Sequence, residues 1–168
     1  MINNENIAAV ILCAGKGKRM NNPNLAKVMA TIGGRPLIEH VLCSLAPLAP
    51  SRTVLVVGHH RESVMEFVRS LQFANTEFAI QAEQLGTGHA VQCYAKVCKD
   101  RPDNLLVVCG DTPLISVETL QKMVEIHRQQ KPARQRLGLA QPVVGQKARQ
   151  APIAIQERVD EHERKRHQ

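Results

Sequence analysis

Three short apolar runs, each closed by a glycine, constrain this chain more than any other feature. Ile7 to Cys13 (IAAVILC) leads through Ala14 to Gly15, Thr53 to Val57 (TVLVV) ends at Gly58, and Leu105 to Cys109 (LLVVC) ends at Gly110. None alternates apolar with polar residues, so each reads as a strand buried on both faces, as in a parallel sheet covered by helices. Stretches of helical period lie between and after them. Leu37, Val41 and Leu45 follow Pro36, the expected first residue of a helix. Val64, Phe67, Val68 and Leu71 form a second stripe, and Ala90, Val91, Tyr94 and Val97 a third. Ser116 is placed to cap a fourth helix, with Glu118 in its first turn and Leu120, Met123 and Val124 facing inward. Strands closed by glycine, alternating with four helical stretches, predict a doubly wound α/β sheet.

In such sheets ligands bind beyond the carboxyl ends of the strands, where this chain gathers its polar glycine loops. The first, Gly15-Lys16-Gly17-Lys18-Arg19, is not a Walker A loop, because Gly-Lys-Ser/Thr is missing. It is not the dinucleotide fingerprint either, since Met20 stands where the third glycine belongs. Glycines that expose backbone N–H groups beside three cations still suit an anion such as phosphate, which an arginine can grip with two donors. The second segment, QAEQLGTGHA from Gln81 to Ala90, offers amides at Gln81 and Gln84 that could read a nucleobase edge. Its glycines would let a base or ribose approach the backbone; the plainer alternative is a turn with Thr87 capping the third helix. The third, Gly110-Asp111, ends a strand with one carboxylate, a suitable ligand for a Mg²⁺ that keeps most of its waters. Asp111 could equally cap a local turn before Pro113. His59 and His60 after Gly58 read as a solvated loop pair, and His89 as structural.

Composition sets the remaining bounds. A chain of 168 residues, 43% hydrophobic and 22% charged, is the size and make-up of one globular domain. Its formal charge of +7 is uneven: residues 1–130 carry 13 basic against 11 acidic side chains, and residues 131–168 carry 9 against 4. With only Phe67, Phe73, Phe78 and Tyr94 to stack on bases, a nucleic-acid partner is not expected despite the basic balance. The five cysteines, at 13, 43, 93, 98 and 109, have no metal-site spacing and read as small buried hydrophobes of a reducing compartment. No cationic leader precedes the apolar run at Ile7, and no stretch approaches the ~20 apolar residues of a membrane span, so a cytoplasmic location is expected.

Taken in order, LCAGKGKRM, Lys27 within AKVMATIGGRPLIEHV, QAEQLGTGHA and CGDTPL resemble the sugar-phosphate nucleotidyltransferases. The resemblance covers about residues 7 to 130. It is closest to the uridylyltransferase, or pyrophosphorylase, domain of the bacterial bifunctional enzymes that act on N-acetylglucosamine 1-phosphate. It implies a Rossmann-like, mostly parallel sheet with helices on both faces, in which residues 1–130 are the nucleotide-binding part of a MobA-like NTP transferase domain. It implies UTP and a sugar 1-phosphate as partners, Mg²⁺ as cofactor and a UDP-sugar for cell-envelope precursors as product, and it allows a homo-oligomer. By position, the backbone from Leu12 through Ala14, Gly15 and Gly17 would hold the nucleotide, and Arg19 and Lys27 would act on its phosphates. Gln81 would read uracil, Gly86 and Thr87 would touch the nucleoside, and Asp111 would bind the metal.

Three departures accompany these matches. Lys18 and Ala26 stand where relatives carry a small residue or Thr and a Pro respectively, and Lys18 adds a charge beside the phosphates. Beyond Gln130, nothing in KPARQRLGLAQPVVGQKARQAPIAIQERVDEHERKRHQ supplies the sugar-binding segment or the second metal ligand that the resemblance calls for. The C-terminal part of the family domain is therefore expected to be missing. Residues 131–168 are expected to be an atypical basic, disordered tail, a replaced or out-of-frame C-terminus, and an acetyltransferase half is not expected.

Overall fold

The structure is a computed structural model that describes residues 7–15, 17, 22, 25–99 and 102–130; the expectations for 131–168 lie outside those residues. The expected sheet is present. Strands β1 (Ile7–Leu12), β4 (Arg52–Val57), β5 (Thr76–Ile80) and β6 (Asn104–Cys109) form one sheet in the order β5-β4-β1-β6, every pairing parallel. Helices α1 (Leu37–Leu45), α2 (Arg61–Ser70), α3 (Thr87–Val97) and α4 (Val117–Gln130) connect and flank these strands.

Helix placement follows from strand order. From β1 the chain moves outward to β4 and then β5, and only then returns to set β6 on the other side of β1. A parallel crossover is almost always right-handed, so reversing its direction moves the connecting helix to the opposite face. Accordingly α1 and α2 cover one face, with Ile38, Leu42, Val64 and Val68 packed on Ile11 and Leu55. Helix α3 covers the other, setting Ala90, Cys93 and Tyr94 against Val10, Val54 and Val56. Helix α4 returns to the α1 side through Leu120 and Val124. The inner face of α1 is buried at Ile38, Val41, Leu42 and Leu45, each side chain contributing roughly 1.5–3 kcal/mol of hydrophobic stabilisation. Ser116 caps α4 as expected, its Oγ accepting from Thr119 N at 3.2 Å.

Several details depart from the pattern reading. Pro36 stands just before α1 rather than within it, with extended ψ at 148°. It closes a small hairpin that periodicity does not announce, β2 (Thr31–Ile32) against β3 (Arg35–Pro36), turned by Gly33 and Gly34 at φ +56° and +78°. Val97 leaves the inner stripe of α3 and is 46% exposed, while Cys93 and Cys98 are buried. Cys43 and Cys109 are exposed, contrary to the expectation of five buried thiols, and all five are unpaired. Strand β6 is not buried on both faces: Val107 is 37% exposed, because β6 is the sheet's edge among the described residues and α3 packs over β1, β4 and β5.

The strand ends converge on two glycines with no room for a side chain. A Cβ on Gly58 would lie 2.9 Å from Ala14 Cβ and 3.1 Å from both the Ala14 and Gln81 carbonyl oxygens. On Gly110 it would lie 2.7 Å from Cys13 Sγ and 3.0 Å from Val28 Cγ1. Gly110→Ala is expected to destabilise the fold by about 1–3 kcal/mol through overpacking. Gly88→Ala, in a helix with nothing within 4 Å, should be neutral or stabilising. Urea denaturation checks this contrast: equal midpoints for the two variants would contradict it.

Candidate functional site

The order of strand addition reverses between β1 and β6, so the carboxyl ends of β1, β4 and β6 frame a cleft, the usual place for a ligand in an open sheet. Each end is tied to its neighbour. Cys13 N donates to Val56 O at 2.8 Å, Gln81 N to Val57 O at 2.8 Å, and Gly110 N to Leu12 O at 3.0 Å. Leu12 thus anchors the loop through its carbonyl, Ala14 is buried, and Gly15 is exposed at the loop's start. Gly17 takes φ +58°, and its missing Cβ would stand 3.2 Å from Lys27 Cβ, so the loop lies against the lysine stem. Lys16, Lys18 and Arg19 lie outside the described residues.

One turn of 3₁₀ helix, Lys27–Met29, with Val28 in the core, directs Lys27 across the cleft. Its ammonium pairs with the Asp111 carboxylate, joining residues 84 apart in sequence. Both side chains keep partial access to solvent, 42% for Lys27 and 29% for Asp111. Asp111 therefore does not cap the turn before Pro113. Thr112 makes that turn, through its Oγ1 and N, which donate to Cys109 O at 2.7 and 3.4 Å. Among the described residues no cluster of three or more His, Cys, Asp or Glu side chains could hold a metal. Asp111 would contribute as a single carboxylate.

On the opposite side of β1 the 81–90 segment folds back over the loop. Gly86 stands before α3 at φ +95° and takes the N-cap position, so Thr87 is the first helical residue and does not cap with its side chain. Gln81, 3% exposed, donates through Nε2 to Gly86 O at 3.1 Å and contacts His89 Nδ1 at 3.1 Å. The Gln84 amide donates to Ala14 O, which fastens this turn to the β1 loop and takes up the group that the sequence offered for base reading. Sequence reasoning missed this tie and the Gln81–His89 contact; the amide-rich QAEQ stretch was the available signal. His60 precedes α2 in a left-handed conformation beside the His59 ring, so the pair shapes the β4–α2 turn.

Two thiols report on the local field. Burial first, then the Asp111 carboxylate and Cys109, push the Cys13 thiol far above its usual range. Cys109, accessible to solvent but partly enclosed, is also raised, by that partial enclosure first and then by Asp111, with Lys27 acting in the opposite sense. Only a thiolate alkylates. Asp111→Asn removes a raising charge, so alkylation of Cys109 at pH 8.5 should become faster. Lys27→Ala removes the lowering charge and should make it slower. Mass spectrometry of the Cys109 peptide measures both, and rate changes of the same sign would contradict this field.

Three comparisons bear on the cleft. The model of the MobA-like NTP transferase domain matches residues 9–166. The bifunctional protein GlmU of Exiguobacterium sibiricum is 47% identical over 119 residues, 71% of this chain and 25% of that protein. Its counterpart in Desulfotalea psychrophila is 43% identical over 122 residues, 73% of this chain and 35% of the other. The chain thus spans about a quarter to a third of the length of these relatives. A UDP-glucose pyrophosphorylase solved with UDP-glucose superposes with a TM-score of 0.61 at 17% identity, covering 74% of this chain and 54% of that one. The 4-diphosphocytidyl-2C-methyl-D-erythritol synthase of Anaerococcus prevotii gives 0.60 at 18%, with 76% and 53% covered. At these identities the likeness is one of fold.

Proposed function

Because the chain belongs to the MobA-like NTP transferase domain family, we propose that it transfers a uridylyl group from UTP to N-acetylglucosamine 1-phosphate, giving UDP-N-acetylglucosamine and pyrophosphate. The observation that carries this reading is the Lys27–Asp111 pair at the carboxyl edge of the sheet, beside a glycine loop on β1. In-line displacement at the α-phosphorus needs no protein nucleophile. The attacking oxygen comes from the sugar phosphate and the leaving group is pyrophosphate, so the protein's work is positioning and charge neutralisation.

Lys27 supplies a mobile point charge that can turn from Asp111 to the phosphates, and Arg19 a second cation. Gly15 and Gly17 keep the loop open to the triphosphate, while Gln81, Gly86 and Thr87 meet the nucleoside. The chain fits Mg²⁺ through Asp111, since that ion takes one or two carboxylates and otherwise keeps waters and phosphate oxygens. Bound there, it would neutralise charge on the phosphates. The reaction belongs in the cytoplasm, where UTP is made; among the described residues no helix is long and apolar enough to cross a membrane.

A second reading, nucleotide binding without turnover, is favoured by one observation. Among the described residues β6 pairs with β1 alone, so no described strand continues the sheet beyond the Asp111 side of the cleft.

A coupled pyrophosphate-release assay with UTP and N-acetylglucosamine 1-phosphate separates the two. Turnover is expected, and Lys27→Ala or Asp111→Asn should lower it by ~10² or more. Well-folded chain that releases no pyrophosphate, yet melts at higher temperature with UTP, would replace the first reading by the second.

A further inference from the structure

We propose that His89 is a positioning residue that fixes the sense of the Gln81 amide, so that this side chain presents its oxygen, and not its nitrogen, to a nucleotide base. The proposal rests on the reading of residues 81–87 as the nucleoside-contacting turn. A glutamine amide is nearly symmetric in shape, and half a turn about its last bond exchanges an acceptor for a donor. Left to itself it would accept from uracil or donate to cytosine. Its sense must come from its neighbours.

At Gln81 those neighbours leave one solution. Nε2 stands 3.1 Å from the Gly86 carbonyl oxygen and 3.1 Å from His89 Nδ1. A carbonyl can only accept, so the atom that faces it is nitrogen. One amide hydrogen goes to Gly86, and the second points at His89 Nδ1, which must offer a lone pair. The imidazole proton then sits on Nε2, which lies 3.9 Å from Cys93 Sγ. Cys93 is one helical turn further along α3 and buried, so it backs the ring from the core side. With both amide hydrogens engaged, Oε1 is left, and no described side chain donates to it. A pyrimidine that meets this oxygen must bring an N–H at its middle ring position. Uracil does so at N3, whereas cytosine carries a lone pair there.

His89 therefore acts on base choice through Gln81 without touching the base. Equilibrium titration of the full chain with UTP and CTP tests this. The unaltered chain should bind UTP more tightly than CTP. His89→Leu removes the acceptor and should lower the UTP:CTP affinity ratio about five- to tenfold, the worth of one hydrogen bond. His89→Asn, whose Oδ1 can stand in for Nδ1, should keep the ratio within about twofold of the unaltered chain. A folded His89→Leu chain with an unchanged ratio would overturn the role of His89 and leave the nucleotide reading standing. An unaltered chain that binds neither nucleotide would overturn the nucleotide reading and this inference with it. The ¹⁵N resonances of His89 in the unaltered chain give an independent check, with a proton expected on Nε2. A proton on Nδ1 would overturn the proposal even if His89→Leu failed to fold.

Discussion

The molecule depends on how closely its strand ends approach one another. At the carboxyl edge the backbones at Gly58 and Gly110 come within van der Waals reach of β1 with no space for a methyl group. This contact is possible because neighbouring parallel strands end within one residue of each other: Leu12 pairs with Val56, next to last in β4, and with Cys109, the last of β6. Gly58 then comes level with Ala14 and Gly110 with Cys13, and each glycine must stay without a side chain to fit against its neighbour. The result is a platform on which Ala14 and Gly15, Gly58, and Gly110 with Asp111 lie side by side. Larger residues at 58 and 110 would splay the strand ends and separate Lys27 from Asp111.

Much of this was legible in the sequence because it is local. Unbroken apolar runs gave three of the sheet strands, the helical stripes gave four helices, and Ser116 capped as its neighbours predicted. What escaped was set by contacts between distant segments. Whether LLVVC is covered on both faces depends on what packs beside it, and at Val107 the cover is incomplete. Thr87 is an apt cap by type, yet Gly86 took the position through a positive φ that the pattern does not encode. Gln84 looked like a free amide because its partner, the Ala14 carbonyl, is 70 residues away. The hairpin at Gly33-Gly34 has strands of two residues, too short for any period to register.

The Gln84 tie has a mechanical consequence under the proposed reading. The turn that would meet the nucleoside and the loop that would meet the phosphates come from different crossovers, yet the Gln84 amide fastens one to the backbone of the other. With Gln81 N also held to Val57 O, the base side of the cleft has little freedom to drift relative to β1. A nucleotide is then gripped at both ends by one rigid frame, so binding loses less to ordering of the protein.

The Lys27–Asp111 pair is suited to such a frame because it is weak. An ion pair with both partners partly in solvent contributes about 0–1 kcal/mol, since water already satisfies most of each charge. Breaking a fully buried pair would cost several kcal/mol and would oppose any ligand that needed either group. Here each charge holds the other in place across the cleft, and each can be given up at little cost. A triphosphate that takes the ammonium leaves the carboxylate with uncompensated negative charge beside the phosphates, a setting that favours a divalent cation between them. Binding of nucleotide and of metal would then reinforce each other through the exchange of one weak contact, with no large movement of the sheet.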